Sequence, residues 1–462
     1  MEEAVQIDNN SAKKPRTTDD DDENGHDFIS NLPESILGRI LSLLPTKEVL
    51  RTCVLSKDWE YKWTCIYDVD INDRERFSLA KTRRTSPFVR FVNKVLSPRN
   101  LSLKRFRLCC HREYHHNHIL SWMSAVGMRN VEDLEIVYKA CLFLPGRLLD
   151  CSSLTKVKLN WPCYFVVPVQ KSFSSLKILY LDKVNFVDER NPYANQLMFD
   201  FPVLETLELQ DCRWLKLNFV EINAPALTMF KVIRSLDRVE VGKCQIKISK
   251  AKLVKFEFVG RFVDNFDFSA SSVFSATIDI HVIRKKELQV QLLFKGFSGL
   301  TDLKISGKVV EALARSYQRL PLPKFNMLKR LEVSTKCNSG ALLELLHVMP
   351  LLESIVLDMW YWEDYDYGEV ESVPSCIVSH LNEIRFRRFS KRLPDYRMAD
   401  FLLTNALRLK KMLGLRRESS KERQRLKMYG SFTFREESEE REIENFWAKV
   451  RQNNVANAKS CT

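Results

Sequence analysis

A six-residue pattern recurs along the middle of the chain, with apolar residues at its first, fourth and sixth positions. Successive copies begin 20 to 29 residues apart, the period of repeats that each form one small structural unit. A single unit cannot bury its own apolar face, so neighbouring units must stack into a continuous core. The copies begin at Leu103, Val131, Leu154, Leu176, Leu204, Leu227, Leu253, Val273, Leu300, Leu328, Leu352 and Leu381.

The fifth position of this pattern lies between two apolar residues and is charged in nine of the twelve copies, although only 28% of all residues are charged. Alternation of apolar and charged residues is typical of a strand with one buried and one solvated face. One strand per copy predicts a curved parallel sheet about 50 Å long, in an irregular leucine-rich-repeat solenoid over residues 101–365. The fifth positions are Arg107, Glu135, Lys158, Tyr180, Glu208, Lys231, Glu257, Thr277, Lys304, Glu332, Val356 and Arg385.

The charges at the fifth position largely alternate in sign, which predicts a ladder of ion pairs between neighbouring strands. Because such a face cannot hold a partner by bulk charge, we expect target contacts from the uncharged members Tyr180, Thr277 and Val356. Trp360 and Trp362 follow in an aromatic-rich stretch and are further candidates for target binding. The alternative is that these aromatic residues cover the hydrophobic end of the repeat stack.

The segment 27–72 contains closely spaced helix signals. Asn31 can cap a first helix that has Pro33 in its first turn, and Pro45 ends this helix before a second one. A third short helix can begin at Ser56. Three helices within about 35 residues cannot bury every face, so we expect something else to cover part of their apolar surface. The apolar stripe of the first helix consists of Ile36, Leu37, Ile40, Leu41 and Leu44.

Residues 29–37 (ISNLPESIL), 41–48 (LSLLPTKE) and 54–57 (VLSK), followed by Trp59 and Trp63, resemble the F-box of plant proteins. The resemblance implies that this segment binds a Skp-type adaptor and, through it, a cullin. The adaptor-binding residues that it implies are Leu32, Pro33, Ile36, Ile40, Leu44, Pro45, Val54 and Leu55. The departures from the family pattern are Asp58 and Glu60, where basic residues are usual, and Lys62, where an apolar residue is usual.

The segment 385–427 carries 15 basic and four acidic residues, most of the excess positive charge of the chain. Apolar residues from Met398 to Met412 trace a helical face between Pro394 and Gly414. The motifs at 373–376, 403–406 and 409–412 resemble the FBD domain of plant F-box proteins, which we place at residues 366–430. The chain is thus predicted to be α/β, with a three-helix F-box, a leucine-rich-repeat ribbon and a C-terminal strand-helix region.

Catalytic and cofactor signatures are missing from the sequence. It contains no G-x-x-x-x-G-K-[ST], G-x-G-x-x-G or G-x-S-x-G motif and no C-x-x-C pair. One cluster contains cysteines and histidines, which are residues that bind zinc, but their spacing fits no closed four-ligand site. The cluster also follows the first copy of the pattern, where a connecting loop is expected. The cluster is Cys109, Cys110, His111, His115, His116 and His118. We therefore expect no cofactor, no metal and no catalytic residue.

The remaining segments are predicted from composition. Residues 1–26 are acidic and nearly free of large apolar residues, which favours a disordered tail. We expect a linker at 73–100 and a C-terminal tail at 431–462. No apolar stretch is long enough to span a bilayer, and we expect a protein of the nucleus and cytoplasm.

The F-box and repeats together predict the substrate-recognition subunit of an SCF-type cullin-RING ubiquitin ligase. In this role the repeats bind an unidentified target protein, and the chain itself catalyses nothing. One alternative, prompted by the three departures from the F-box pattern, is a repeat-based scaffold that does not assemble a ligase. Another is a nucleic-acid binder that uses the basic segment 385–427, although no nucleic-acid-binding motif accompanies it.

Overall fold

The structure, a computed structural model, divides into two compact units, Met1–Ile66 and Tyr67–Thr462. It describes residues 28–74, 86–97, 103–144, 152–166, 170–187, 196–235, 244–261, 265–268, 271–281, 287–317, 321–335, 337–359, 372–388 and 393–415. The predicted tails at 1–26 and 431–462 lie outside the described residues.

The first unit contains helices α1 (Glu34–Leu41) and α2 (Thr46–Arg51) and the 3-10 turns Thr52–Val54 and Lys62–Cys65. Each helix begins directly after a proline whose φ, −53° at Pro33 and −55° at Pro45, suits the entry into a helix. The predicted capping role of Asn31 is therefore wrong, and the third helical segment is a 3-10 turn. The core of this unit consists of Leu37, Leu41, Val49, Leu50, Trp59, Trp63 and Ile66.

The second unit is built on one fourteen-stranded sheet in which every neighbouring pair is parallel. With strands numbered along the whole chain, its members are β1 (Asp68–Asn72), β2 (Arg105–Cys109), β3 (Asp133–Val137), β4 (Lys156–Asn160), β7 (Ile178–Asp182), β10 (Thr206–Gln210), β13 (Met229–Arg234), β15 (Lys252–Arg261), β17 (Ser272–His281), β18 (Asp302–Ser306), β19 (Arg330–Ser334), β20 (Ser354–Asp358), β21 (Glu383–Arg387) and β22 (Lys411–Leu415).

The register of this sheet confirms the repeat prediction residue by residue. All twelve predicted fifth positions pair in one unbroken row that runs from Arg107 on β2 to Arg385 on β21. We call this line of residues the central row. The apolar residues on either side of each member are buried, for example Phe106 and Leu108 beside Arg107.

The ribbon extends beyond the predicted repeats at both ends. Strand β1 lies in the range assigned to the F-box, and helix α3 (Ser86–Val95) lies in the range assigned to a linker. At the other end, the helix α9 (Leu393–Asn405) stops at Asn405. Met412, predicted to belong to that helix, instead lies on β22 and pairs with Ile384.

Behind the first half of the ribbon, the connecting segments form two smaller parallel sheets rather than loops. One contains β6 (Gln170–Ser172), β9 (Gln196–Asp200), β12 (Phe219–Asn223), β14 (Gln245–Ser249) and β16 (Asn265–Asp267). The other contains β5 (Tyr164–Val166), β8 (Asn185–Val187) and β11 (Arg213–Leu215).

Helices connect the strands near both ends of the ribbon. Helix α4 (His116–Gly127) follows β2 and contacts α3. From β17 onward the connections are α5 (Glu287–Phe294), α6 (Gly307–Tyr317), α7 (Ser339–Leu346), α8 (Ser375–Ser379) and α9. Phenylalanines pack against one another in the core where the strand-backed part meets the helix-backed part, as in Phe256 and Phe268, whose ring centres lie 4.8 Å apart in an edge-to-face arrangement.

Candidate protein-binding surfaces

Helix α1 exposes half of its apolar stripe. Leu37 and Leu41 are buried in the core of the first unit, whereas Ile36 and Ile40 are 45% and 43% exposed. Large exposed aliphatic side chains continue past the end of this helix and into the following 3-10 turn. We call this set the apolar surface of the first unit, and it consists of Ile36, Ile40, Leu43, Leu44, Val54 and Leu55.

Five of the eight implied adaptor-binding residues belong to this surface. Pro33 and Pro45 are also exposed, but each precedes a helix and its carbonyl accepts hydrogen bonds from the first helical turn. Leu32 is only half-buried. Sequence reasoning missed Leu43, which directly precedes Leu44 in the turn between the two helices. An apolar residue in a tight turn is the signal that could have identified it.

Lys62, one of the three departures from the F-box pattern, makes its contacts within the first unit. Its ammonium group donates a hydrogen bond to the carbonyl of Ser30 and lies 5.5 Å from the centre of the Trp59 ring. The indole N–H of Trp59 donates to the Ser30 hydroxyl at 2.6 Å. These contacts tie the start of the unit to its last turn. The other two departures, Asp58 and Glu60, are exposed.

The solvated face of the ribbon carries the predicted ladder of ion pairs. Arg107 lies between two acidic neighbours, with N–O distances of 3.1 Å to Asp70 and 3.2 Å to Glu135. Further along the central row, Lys231 pairs with Glu208 at 3.1 Å. The closest of the predicted pairs joins the Lys304 ammonium to the Glu332 carboxylate at 2.7 Å. Three of the five predicted cross-strand pairs are therefore present. The other two are not formed in the described part of the chain, since Lys158 has no ion-pair partner there and Glu257 pairs with Lys255 of its own strand.

The structure does not bring the uncharged members of the central row together. Tyr180, Thr277 and Val356 are all half-buried on the solvated face. Four strand steps separate the first two and three steps separate the last two, which amounts to about 19 Å and about 14 Å. They cannot form one compact contact site. Trp360 and Trp362 lie outside the described residues.

The hydroxyl of Tyr180 is hydrogen-bonded and stays protonated. Its hydroxyl donates to the side-chain oxygen of Gln210 at 3.0 Å. Burial, with smaller effects from Asp182 and Glu208, raises the pKa of Tyr180 to about 12. The phenol is therefore neutral at physiological pH and presents an aromatic ring to a partner.

The described part of the basic segment 385–427 begins with arginines that are already paired. Arg385 lies 3.2 Å from Glu383, and Arg387 lies 2.5 Å from Glu332 on a strand two steps away. Arg388 forms a two-contact pair with Asp358. Since these guanidinium groups are engaged within the ribbon, they do not form an open phosphate-binding patch.

The Cys/His cluster begins at the end of β2 with Cys109 and continues through a loop that holds Cys110, His111 and His115, where a connecting loop was predicted. Its last members, His116 and His118, lie in the first turn of helix α4. His115 caps helix α4 by accepting a hydrogen bond from the Asn117 N–H at 3.4 Å, and His118 stacks on Trp122. Cys110 is buried, and burial raises its pKa, which opposes formation of a reactive thiolate. Within the ranges that the structure describes, no group of three or more His, Cys, Asp or Glu side chains is arranged to hold a metal ion.

A parallel ribbon with one strand per repeat defines this chain as a leucine-rich-repeat protein. Three family models match separate parts of it. The F-box domain matches residues 29–64, and the FBD domain matches residues 369–413. The model described as FBD-associated F-box protein At5g56370, LRR repeats, matches residues 119–259.

Relatives with the same domain combination extend over most of the chain. The F-box/FBD/LRR-repeat protein At3g14710 of Arabidopsis thaliana is 26% identical over 403 residues, covering 83% of this chain and 87% of the relative. The FBD-associated F-box protein At1g66310 of the same plant is 28% identical over 433 residues, covering 88% and 93%. The chain thus resembles the plant F-box/FBD/leucine-rich-repeat proteins in all three of its matched domains and over most of its length.

Among the described residues, no helix combines the length and the apolar character that crossing a membrane requires.

Proposed function

We propose that this protein is the target-recognition subunit of an SCF-type cullin-RING ubiquitin ligase. The observation that carries the proposal is the apolar surface of the first unit. A small folded unit that leaves these large aliphatic side chains exposed has the character of a protein-binding interface. In an F-box, that partner is a Skp-type adaptor, which links the chain to a cullin.

The ribbon is the part of the protein proposed to hold the target. Its solvated face presents outward-facing side chains from every strand, and ion pairs between neighbouring strands hold several of them in position. Catalysis by such a subunit is a matter of proximity. Holding a target near a charged conjugating enzyme raises the effective concentration of its lysines, and no residue of this chain takes part in bond chemistry.

Reconstitution with purified components tests the proposal. The full-length protein should co-elute with a Skp-type adaptor and, when a cullin is added, with the ternary complex. Changing Leu32 and Pro33 together to Ala should weaken adaptor binding at least tenfold, since both carry apolar area in the implied interface. Pro33 also starts helix α1, so the melting temperature must be measured alongside. If the wild-type protein does not bind the adaptor, the ligase proposal is contradicted and the scaffold alternative is favoured.

The exposed acidic pair Asp58 and Glu60 is the feature that favours this scaffold alternative. Changing both residues to Lys restores the charge usual in the family. If this variant binds the adaptor and the wild type does not, the chain is a scaffold that lacks ligase assembly. Localisation to the nucleus and cytoplasm remains a prediction, which imaging of a fluorescent fusion can test.

A further inference from the structure

The solvated face of the ribbon contains two charges that the ladder leaves out. From β4 to β17, each strand shows the third, fifth and seventh residues of its repeat on this face. Among the charged side chains at those positions, Lys158 on β4 and Asp279 on β17 have no ion-pair partner within 4 Å in the described part of the chain. Their neighbours are engaged: Glu135 pairs with Arg107 at 3.2 Å.

Seven of the twelve residues at these positions on the four strands between the two charges are uncharged, and the five charged ones are all engaged in ion pairs. Tyr180 lies beside Lys158 in the central row, and Val259 lies beside Asp279 in the row two residues further on. Ile233 pairs with Val259 across the next strand, so the aliphatic surface is continuous there. We call this set the central platform, and it consists of Ile178, Tyr180, Met229, Ile233 and Val259, all half-buried or exposed.

The platform has a defined length and polarity. Lys158 and Asp279 are separated by five strand steps, or about 24 Å. An extended peptide covers that distance with about seven residues. The two ends carry opposite charges, and each lies within the sheet among side chains that are already paired. A ligand that complements the platform therefore carries a carboxylate at one end, a cationic group at the other, and apolar side chains between them.

We propose that the ribbon recognises its target through an extended segment of this chemistry laid across β4 to β17. An acidic residue of the segment pairs with Lys158, a basic residue about seven positions away pairs with Asp279, and an aromatic or aliphatic residue rests on Tyr180. This inference rests on the proposed role of the ribbon in holding targets. It does not depend on whether the first unit binds an adaptor.

Peptide selection on the full-length protein tests the inference. The probe is a phage-displayed library of random dodecapeptides. A dodecapeptide that is helical spans about 18 Å and cannot reach both charges, whereas an extended one can. The selected sequences should share an acidic residue and a basic residue about seven positions apart, with apolar residues between. Selection of no sequence, or of sequences without this charge separation, overturns the proposal.

Charge reversal identifies the contacts. With Lys158→Glu, the binding of a selected dodecapeptide, measured by fluorescence anisotropy, should weaken at least tenfold. A peptide whose acidic residue is replaced by Lys should then recover binding. Asp279→Lys should give the same result at the basic end. The matched control is Lys329→Glu, which reverses a lysine that directly precedes β19 and pairs with Glu353 at 3.2 Å, and it should leave binding unchanged.

A charge-neutral variant and a measurement of adaptor binding separate the possible causes of lost peptide binding. Lys158→Gln removes the charge without placing a second carboxylate near Glu135, so it separates lost pairing from local repulsion. It should weaken binding in the same direction as Lys158→Glu, with the melting temperature unchanged. Adaptor co-elution is measured on the same samples, so a failure of ligase assembly is recorded separately. Peptide binding that is insensitive to both Lys158 variants overturns the assignment.

Discussion

Truncating two side chains of the apolar surface should separate adaptor binding from stability. Val54 and Leu55 follow helix α2 and are 82% and 66% exposed. Because they contribute little to the core of the free unit, changing both to Ala should leave the melting temperature nearly unchanged. Their burial against an adaptor is the contribution that the double variant loses.

The magnitude follows from the area that remains to be buried. Each buried methylene-sized group contributes about 0.8 kcal/mol. Val54→Ala removes two such groups and Leu55→Ala removes three. Scaled by the exposed fractions, complete burial in the complex is worth about 1.3 and about 1.6 kcal/mol. The double variant should therefore lose about 3 kcal/mol of binding free energy, or about a hundredfold in Kd.

Isothermal titration of the full-length protein with a purified Skp-type adaptor measures this change. The matched control is Val254→Ala with Leu407→Ala, which removes the same groups from exposed residues of the second unit. The control should bind the adaptor like the wild type. If the Val54 and Leu55 double variant binds within threefold of the wild type, these residues lie outside the interface and the reasoning from exposure is refuted.

Two other predictions concern the ribbon. Gly260 has a φ of +108°, and a Cβ there would lie 1.8 Å from the carbonyl oxygen of residue 234, so Gly260→Ala should destabilise the protein by about 3 kcal/mol or more. Gly299→Ala, whose Cβ would meet its nearest atom at 3.9 Å, should change stability by less than about 1 kcal/mol, and equal melting temperatures for the two variants would contradict this. Hydrogen bonds from Ser249 and Lys247 lower the pKa of Glu221, so its stabilising contribution is present at neutral pH and lost as the pH falls below about 4. Glu221→Gln should therefore lower the melting temperature at pH 7 and have a smaller effect in acid; a pH-independent difference would exclude this ionic contribution.

The ribbon was predictable because its signal is local and repeated. A strand with one wet face needs apolar residues on both sides of a polar one, and this requirement is met at Arg107 as at Glu332. Once the repeats stack in parallel, the register follows from the pattern itself. The sequence therefore predicts which residues are neighbours across strands, including pairs far apart along the chain.

The two ends of the ribbon were harder to predict for different reasons. Strand β1 does carry the pattern, with Ile66, Val69 and Ile71 at the apolar positions, but it directly follows the F-box and was assigned to it. Strand β22 has Gly414 where the pattern requires an apolar side chain. An end strand has one neighbour rather than two, so its sequence is under weaker constraint.

The candidate surfaces depend on which side chains are exposed to solvent, and the periodic pattern of the sequence does not determine this. The apolar stripe of α1 reads as one face, yet Leu37 is buried and Ile36 is not. Similarly, Lys158 fits the ladder of alternating charges but has no ion-pair partner in the described part of the chain, because Glu135 pairs with Arg107. Which member of a repeating pattern is left without a partner is decided by side-chain geometry in three dimensions.

The exposed aliphatic residues of the first unit have a consequence for the amount of this protein in a cell. A chain without its partner displays hydrophobic side chains of the kind that chaperones and quality-control proteases recognise. We expect the unassembled protein to be degraded faster than the assembled one, so that its abundance follows the supply of adaptor. The same surface that joins the protein to a degradation complex then limits the lifetime of every copy that fails to join one.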